Sequence, residues 1–328
     1  MKKILALILT LVLLLTCFLF GCAREEKMTH ITVSEVTHSV FYAPQYAAIK
    51  LGYFEEEGLD VELINGQGAD KVMTAVISGQ VDIGLAGPEA TIYVYNEGKE
   101  DYAQVFAQLT KRDGSFIMGR EADEDFSYEK LAGKHILAGR KGGVPCMTLE
   151  YVLKQHGLST SDLNFDTSVE FGLMAGAFAG GTGDYTTVFE PTATMMEQEG
   201  SGHIVASVGQ DSGEIPYTAY FTLKSYIEEN EDTVQKFTNA IAKAQKWCAE
   251  ASPKEIAETI AEFFPDTDLE VLENVAARYQ EIDAWMTEPF MTEDSFNRLQ
   301  DVMEGAGELS ARAPYDKLVN NTFAEKAN

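Results

Sequence analysis

The sequence predicts an α/β protein of two lobes, and three observations predict it. Strand-like and helix-like segments alternate from His30 to Leu223, the pattern of sheets with helices on their faces. Two polar, Gly-containing breaks, Lys111-Arg112-Asp113-Gly114 and Gly209–Pro216, flank a middle α/β unit. From Lys224 onward the pattern is almost wholly helical. A chain that leaves one unit, builds a second and returns makes a discontinuous first lobe and a cleft. The boundaries read as 30–113 with 214–328 for the first lobe and 114–213 for the second.

The elements follow in order. His30–Val36 reads as a strand and Pro44–Leu51 as a helix that Gly52 ends. Leu59–Ile64 is a strand. Ala69–Ser78 carries Val72, Ala75 and Val76 at helical spacing, with Gly79 just past its end. Val81–Ala86 is a strand, Pro88–Asn96 a helix and Tyr102–Leu109 a strand, so the first sheet should be largely parallel. In the middle unit, His135–Ala138 is a strand and Cys146–His156 a helix. Gly172–Ala179 (helix), Asp184–Phe189 (strand), Pro191–Gln198 (helix) and His203–Val208 (strand) follow. Tyr217–Leu223 alternates as a strand with Tyr217, Ala219, Phe221 and Leu223 on one face. Helices are predicted over about 225–249, 253–264, 268–285 and 293–304. The first of these carries Val234, Phe237, Ile241 and Ala244 as an apolar stripe.

The chain opens with Met1-Lys2-Lys3, an apolar run from Ile4 to Phe20, and Gly21-Cys22. A basic start and a short apolar run read as an export signal over residues 1–21; an apolar run of this length also sits at the lower limit for a membrane span. Residues 22–29 read as a polar tether. Loss of residues 1–21 removes Lys2 and Lys3 and no acid, leaving 23 basic and 52 acidic residues, a formal charge of −29. That balance argues against a nucleic-acid backbone or an anionic lipid surface as partner. Beyond the leader and Cys22 only Cys146 and Cys248 remain, too few for a disulfide framework or a metal cluster. They read as free thiols.

Four predicted strands lead through a loop to a proline suited to a first helical turn: Pro44, Pro88, Pro145 and Pro191. Ligands of open α/β sheets bind at the carboxyl ends of strands, so these loops should face the cleft. The first offers Thr37, His38, Ser39, Phe41, Tyr42 and Gln45. The second offers Gly87 and Glu89, the third Gly142, Gly143 and Val144, and the fourth Phe189 and Glu190. Tyr217, opening the last strand, completes the set. Several of these have local alternatives. Glu89 would stabilise a helix start without any ligand, His38 suits a structural loop position, and Phe41 and Tyr42 could simply pack. Glu190 precedes Pro191 where Glu is not a favoured cap, which points to a site role. Arg140 and Lys141 are consecutive, so at most one would reach the cleft. The third loop lacks the GK[ST] ending of a nucleotide loop. G-x-S-x-G, H-E-x-x-H and paired C-x-x-C motifs are all missing from the sequence.

The run Phe41–Gly87, with Ala43-Pro44, Gly52-Tyr53-Phe54 and Ser78-Gly79-Gln80-Val81-Asp82-Ile83-Gly84, resembles the opening of ABC-importer substrate-binding proteins. The branch is the one that handles nitrate, sulfonates, taurine and thiamine pyrimidine precursors. Lys130-Leu131-Ala132-Gly133-Lys134, Phe189-Glu190-Pro191-Thr192-Ala193 and Pro314-Tyr315-Asp316-Lys317-Leu318 extend the resemblance. It implies a type II periplasmic-binding-protein fold, with the C-terminal helical segment packed on the first lobe and closure by hinge bending. Leu19-Phe20-Gly21-Cys22 resembles a lipobox, with Phe20 where a small residue is usual. Cys22 would then be lipidated and the protein held at the outer face of the cytoplasmic membrane. The resemblance implies a monomeric binding protein without catalysis or cofactor, serving a permease and ATPase encoded elsewhere. The ligand it favours is an amino-pyrimidine, stacked on Tyr42 or Phe189 and donating to Glu190. The alternative is an oxyanion held by Thr37, Ser39, Gly142 and Gly143. Two other roles stand further off: a receptor-docking sensor, and an enzyme like the fungal pyrimidine-precursor synthases, whose Cys-rich run this chain lacks.

Overall fold

The computed structural model describes residues 27–327. The expected signal segment 1–21 and Cys22 lie outside the described residues. Among the described residues ten strands form two five-stranded sheets. The first sheet has β1 (Thr29–Glu35), β2 (Leu59–Asn65), β3 (Ile83–Ala86), β4 (Ala103–Thr110) and β10 (Thr218–Leu223), in the order β2-β1-β3-β10-β4. The second has β5 (Ser115–Gly119), β6 (His135–Leu137), β7 (Asn164–Asp166), β8 (Tyr185–Phe189) and β9 (His203–Ser207), in the order β7-β6-β8-β5-β9.

The sheets are largely parallel, as expected, but each is mixed by one antiparallel strand. β10 runs antiparallel to β3 and β4, and β5 antiparallel to β8 and β9. Each of these is the first strand after a crossover. The chain leaves a sheet at the carboxyl ends of its parallel strands and enters the other sheet from that same end, so the entering strand must point the opposite way. β5 and β7 were not anticipated from sequence. β5 is Ser-Phe-Ile-Met-Gly, buried at every residue and therefore without alternation; β7 is three residues long. The alternation expected over Tyr217–Leu223 also fails to mark one face, because Thr218 to Thr222 are all buried in mid-sheet.

The longer helices are α1 (Ala43–Lys50), α2 (Ala69–Ile77), α3 (Glu89–Asn96), α4 (Val144–Gln155), α5 (Thr192–Gln198), α6 (Glu231–Glu250), α7 (Pro253–Ile260), α8 (Leu269–Glu281) and α9 (Glu293–Gly305). The helix expected over 225–249 breaks at Asn230, whose φ of −132° is not helical, and α6 restarts on Glu231 and Asp232. Two acids in a first turn favour a helix start there. The stripe Val234, Phe237, Ile241 and Ala244 is fully buried against the first lobe; Phe237 meets Phe54, Phe106 and Tyr220. α7 opens with a capping box, Ser252 and Glu255 reciprocally bonded around Pro253. Pro44 and Pro145 sit in first helical turns as expected. Pro88 and Pro191 instead take the N-cap position itself. Among the described residues no helix is long and apolar enough to cross a membrane, and Cys146 and Cys248 are both free and buried.

The two crossovers press on each other. A Cβ at Gly209 would stand 1.9 Å from the Asp113 carbonyl oxygen, and one at Gly114 would stand 2.4 Å from the Phe41 ring. Neither neighbour is the free end of a flexible side chain. Gly209→Ala should therefore force the crossovers apart and cost about 1–3 kcal/mol, the usual range for overpacking. Urea unfolding checks this; a midpoint equal to the parent protein's would show that the crossovers yield freely.

Candidate ligand-binding site

The carboxyl ends of the two sheets enclose a cavity of about 210 Å³. The first lobe contributes Val36 from the end of β1, Tyr42 before α1, Gly87 and Glu89 around the start of α3, and residues 67–71 leading into α2. The second lobe contributes Arg140, Gly143 and Val144 around the start of α4, Phe189 at the end of β8, and residues 167–171 after β7. Tyr217 and Thr218 complete it from the second crossover. Tyr42, Gly87, Glu89, Gly143, Val144, Phe189 and Tyr217 are thus brought together on the cavity wall. Residues 67–71 and 167–171 were not picked out from sequence. Both follow β2 and β7, edge strands of the two sheets, and their Gly, Ser and Thr content reads only as loop. Arg140 reaches the cavity, whereas the neighbouring Lys141 turns away to pair with Glu308 at 3.2 Å.

Seven expected residues stand elsewhere. Thr37 is half-buried outside the cavity lining. His38 bonds Glu35 at 2.8 Å and the Phe263 carbonyl at 2.7 Å, and stacks on Phe264. The Glu35 hydrogen bond raises its pKa. Gln45 is buried in the same network, donating to Glu35 and accepting from Tyr220. Buried carboxylates need such partners, and Glu35 takes them from the loop that was read as ligand-facing. Ser39 donates to the Glu190 carbonyl and accepts from the Phe41 N–H. Phe41 is fully buried behind the cavity wall, against Tyr42, Phe189 and Tyr217. The Gly142 carbonyl accepts from the Tyr93 hydroxyl across the cleft at 2.8 Å.

Glu190 is the most consequential of these. Its side chain is 0% exposed. One oxygen accepts from Arg278 at 2.6 Å and from the Thr194 hydroxyl; the other accepts from the Thr194 N–H at 2.9 Å. It therefore works as a buried ion-pair partner and helix cap, with Arg278 on α8 of the first lobe. Position and proline gave it away as special, but its partner lies 88 residues on and was not readable.

Glu89 is the opposite case. It is 1% exposed, and its Oε2 is buried without a hydrogen-bond partner. Burial pushes its pKa up to about 7, while Arg140 and the N–H groups of Val144, Glu89 and Ala90 hold it down. Two more unpartnered buried atoms belong to the same region: the Tyr217 hydroxyl and Asp113 Oδ2. Cys146 also lines the cavity, but burial, with Glu150 and Glu308 nearby, pushes its thiol up to about 12. A thiol held protonated is a poor nucleophile.

Two outcomes follow. Glu190→Gln removes the charge facing Arg278 and should cost about 1.5–3 kcal/mol of stability; lost ligand binding with unchanged stability would return Glu190 to the ligand. Glu89 binds its proton more tightly folded than unfolded, so its contribution to stability is full below a pH of about 4.5 and is lost as pH rises through about 7. Glu89→Gln should therefore gain on the parent protein in melting temperature across that window. A constant difference between the two proteins would contradict the assignment.

The arrangement has relatives. Residues 40–256 match the family described as NMT1/THI5 like. A protein of Bacillus subtilis (strain 168), described as a candidate binding protein and called YtlA, is 45% identical over 309 residues, 94% of this chain and 92% of that protein. The alkanesulfonate-binding protein SsuA from Xanthomonas axonopodis pv. citri, solved with MOPS bound, superposes with a TM-score of 0.72 at 17% identity, covering 89% of this chain and 98% of its own. The nitrate-binding protein NrtA from Synechocystis PCC 6803 gives 0.69 at 17% identity, covering 92% and 88%. These likenesses show that the fold is that of periplasmic binding proteins. The family match and the close relative together place the chain in the NMT1/THI5-like family.

Proposed function

We propose that this chain is an extracytoplasmic solute-binding protein of an ABC importer that captures a flat heteroaromatic ligand bearing an amine, of the thiamine-pyrimidine-precursor class. The observation that carries the ligand class is Glu89, a buried carboxylate oxygen without a partner in a cavity walled by Tyr42, Phe171, Phe189 and Tyr217. An amine hydrogen would fill the vacant acceptor, and the rings would stack on a flat heterocycle. Glu89 thus takes the part that the family resemblance assigned to Glu190. Membership of the family, and the description of YtlA as a candidate binding protein, support capture rather than catalysis. So does the raised Cys146 thiol, the one cysteine on the cavity wall. In this reading residues 30–113 and 214–328 form one lobe and 114–213 the other. They close about the crossovers, and Cys22 carries the lipid that holds the protein beside its permease.

A second reading, an oxyanion ligand, draws on the starts of α2 and α4 at the cavity, since helix N-termini favour anions. It also draws on the sulfonate and nitrate ligands in the descriptions of SsuA and NrtA. It requires Glu89 to be protonated.

Calorimetric titration with an amino-pyrimidine, methanesulfonate and nitrate across the Glu89 pKa of about 7 separates the readings. An amine donor needs ionised Glu89, so its affinity should rise with pH through that value. An oxyanion needs the protonated acid, so its affinity should fall. Glu89→Gln should weaken the amino-pyrimidine by roughly tenfold or more, the worth of a hydrogen bond to a charged group, and flatten the pH dependence. Methanesulfonate or nitrate binding that weakens as pH rises would overturn the amine reading in favour of the second.

A further inference from the structure

We propose that His38 is a positioning residue: a proton it shares with Glu35 clamps the loop that carries Tyr42, so one wall of the cavity is held firm in acid and loosened as pH rises. This clamp is independent of which ligand the cavity takes.

Glu35 ends β1 with its side chain only 2% exposed, whereas His38 is 37% exposed and so exchanges protons with water. Both ring nitrogens of His38 face acceptors. Nε2 lies 2.7 Å from the Phe263 carbonyl oxygen, and Nδ1 lies 2.8 Å from Glu35 Oε1. A carbonyl oxygen only accepts, so Nε2 carries a hydrogen. A neutral ring has no second hydrogen, and Nδ1 would set a lone pair against a carboxylate oxygen. The short Nδ1 contact therefore requires an imidazolium, its second proton shared with Oε1. The Tyr46 hydroxyl also lies 3.1 Å from Nδ1, but its single hydrogen belongs to the shorter bond, 2.9 Å to Glu35 Oε2, which Gln45 shares. The other titratable groups around the pair are phenols. Burial first, then Glu35, drive Tyr42, Tyr46 and Tyr220 well above their usual pKa, so all three stay neutral. Lys50 on α1 and Glu262, beside Phe263, pair with each other. The turn that follows hangs from this clamp. The Ser39 N–H donates to the Tyr46 hydroxyl, and the Ser39 hydroxyl donates to the Glu190 carbonyl in the second lobe. The Tyr42 N–H donates to the Ser39 carbonyl, and Tyr42 lines the cavity. Without the shared proton the ring must give up either Glu35 or the Phe263 carbonyl, and the turn loses its anchor.

His38 binds its proton more tightly folded than unfolded, chiefly through the Glu35 hydrogen bond. The clamp is therefore complete below the ordinary histidine pKa of 6.5 and is lost as pH rises through the raised value. Trp285 reports on the loop, because its indole N–H donates to the Phe41 carbonyl at 2.9 Å. The experiment follows melting temperature, and Trp285 emission in a Trp247→Phe background, from mildly acidic to mildly alkaline pH for the parent protein and His38→Gln. Glu89 titrates in both proteins and cancels in their difference. The parent should melt higher than His38→Gln in acid and lose that lead as pH rises. Its Trp285 emission should shift over the same range, and the variant's should not. A melting difference that stays constant with pH, the mark of a purely structural histidine, would overturn the proposal. So would a melting difference that titrates while Trp285 emission does not, because the clamp would then fail to reach the cavity wall. If His38→Gln does not fold, nitrogen NMR of the parent decides alone. Both ring nitrogens of His38 should carry hydrogen at a pH just above 6.5, and a ring with one hydrogen there would overturn the proposal.

Discussion

The contact between the two crossovers governs the rest of the molecule. Gly209 lies so close to the Asp113 carbonyl that no side chain fits between them. Because both connections pass through one small space, the strand that follows each one enters its sheet from the cleft side. That geometry makes β5 and β10 antiparallel to their neighbours. It also brings the carboxyl ends of eight parallel strands to face one another, and the loops after them make the cavity wall. Asp113 belongs to the first of these connections and Tyr217, on the cavity wall, directly follows the second.

Much of this was legible in the sequence. The alternation of elements, the two polar breaks and the helical C-terminal part are local patterns, and local patterns survive folding. The proline-bearing loops were likewise readable, because Pro44 and Pro145 occupy first helical turns by their fixed backbone geometry. Strands buried on both faces were not: β5 carries no periodicity to detect. The site was legible by half. Tyr42, Glu89, Val144, Phe189 and Tyr217 line the cavity, while His38, Gln45 and Glu190 are consumed by distant partners.

Glu89 and Glu190 show why. Each stands at the start of a helix that follows a strand, Glu89 inside its first turn and Glu190 just before it, and sequence favoured Glu190. The difference between them lies in what the rest of the chain supplies. Arg278 and Thr194 satisfy Glu190, and a satisfied carboxylate has little left to offer a ligand. Among the described residues nothing donates to Glu89 Oε2. A binding site is in this sense a place where the chain withholds a partner, and withholding is a property of the whole fold rather than of a motif.

Helix α8 touches both lobes at once. Arg278 holds Glu190 in the second lobe, while the Tyr279 hydroxyl donates to the Gly114 carbonyl and accepts from the Glu190 N–H. Ser39 donates to the Glu190 carbonyl, Tyr93 donates to the Gly142 carbonyl and Lys141 pairs with Glu308, so several non-covalent links join the lobes beside the two covalent ones. Two connections crossing at nearly one point would let a lobe swivel in any direction, like a ball in a socket. Attachments set off to one side, those of α8 among them, remove that freedom and leave a door on a fixed axis. The direction of any opening would then be written partly into α8, far along the chain from the loops that line the cavity.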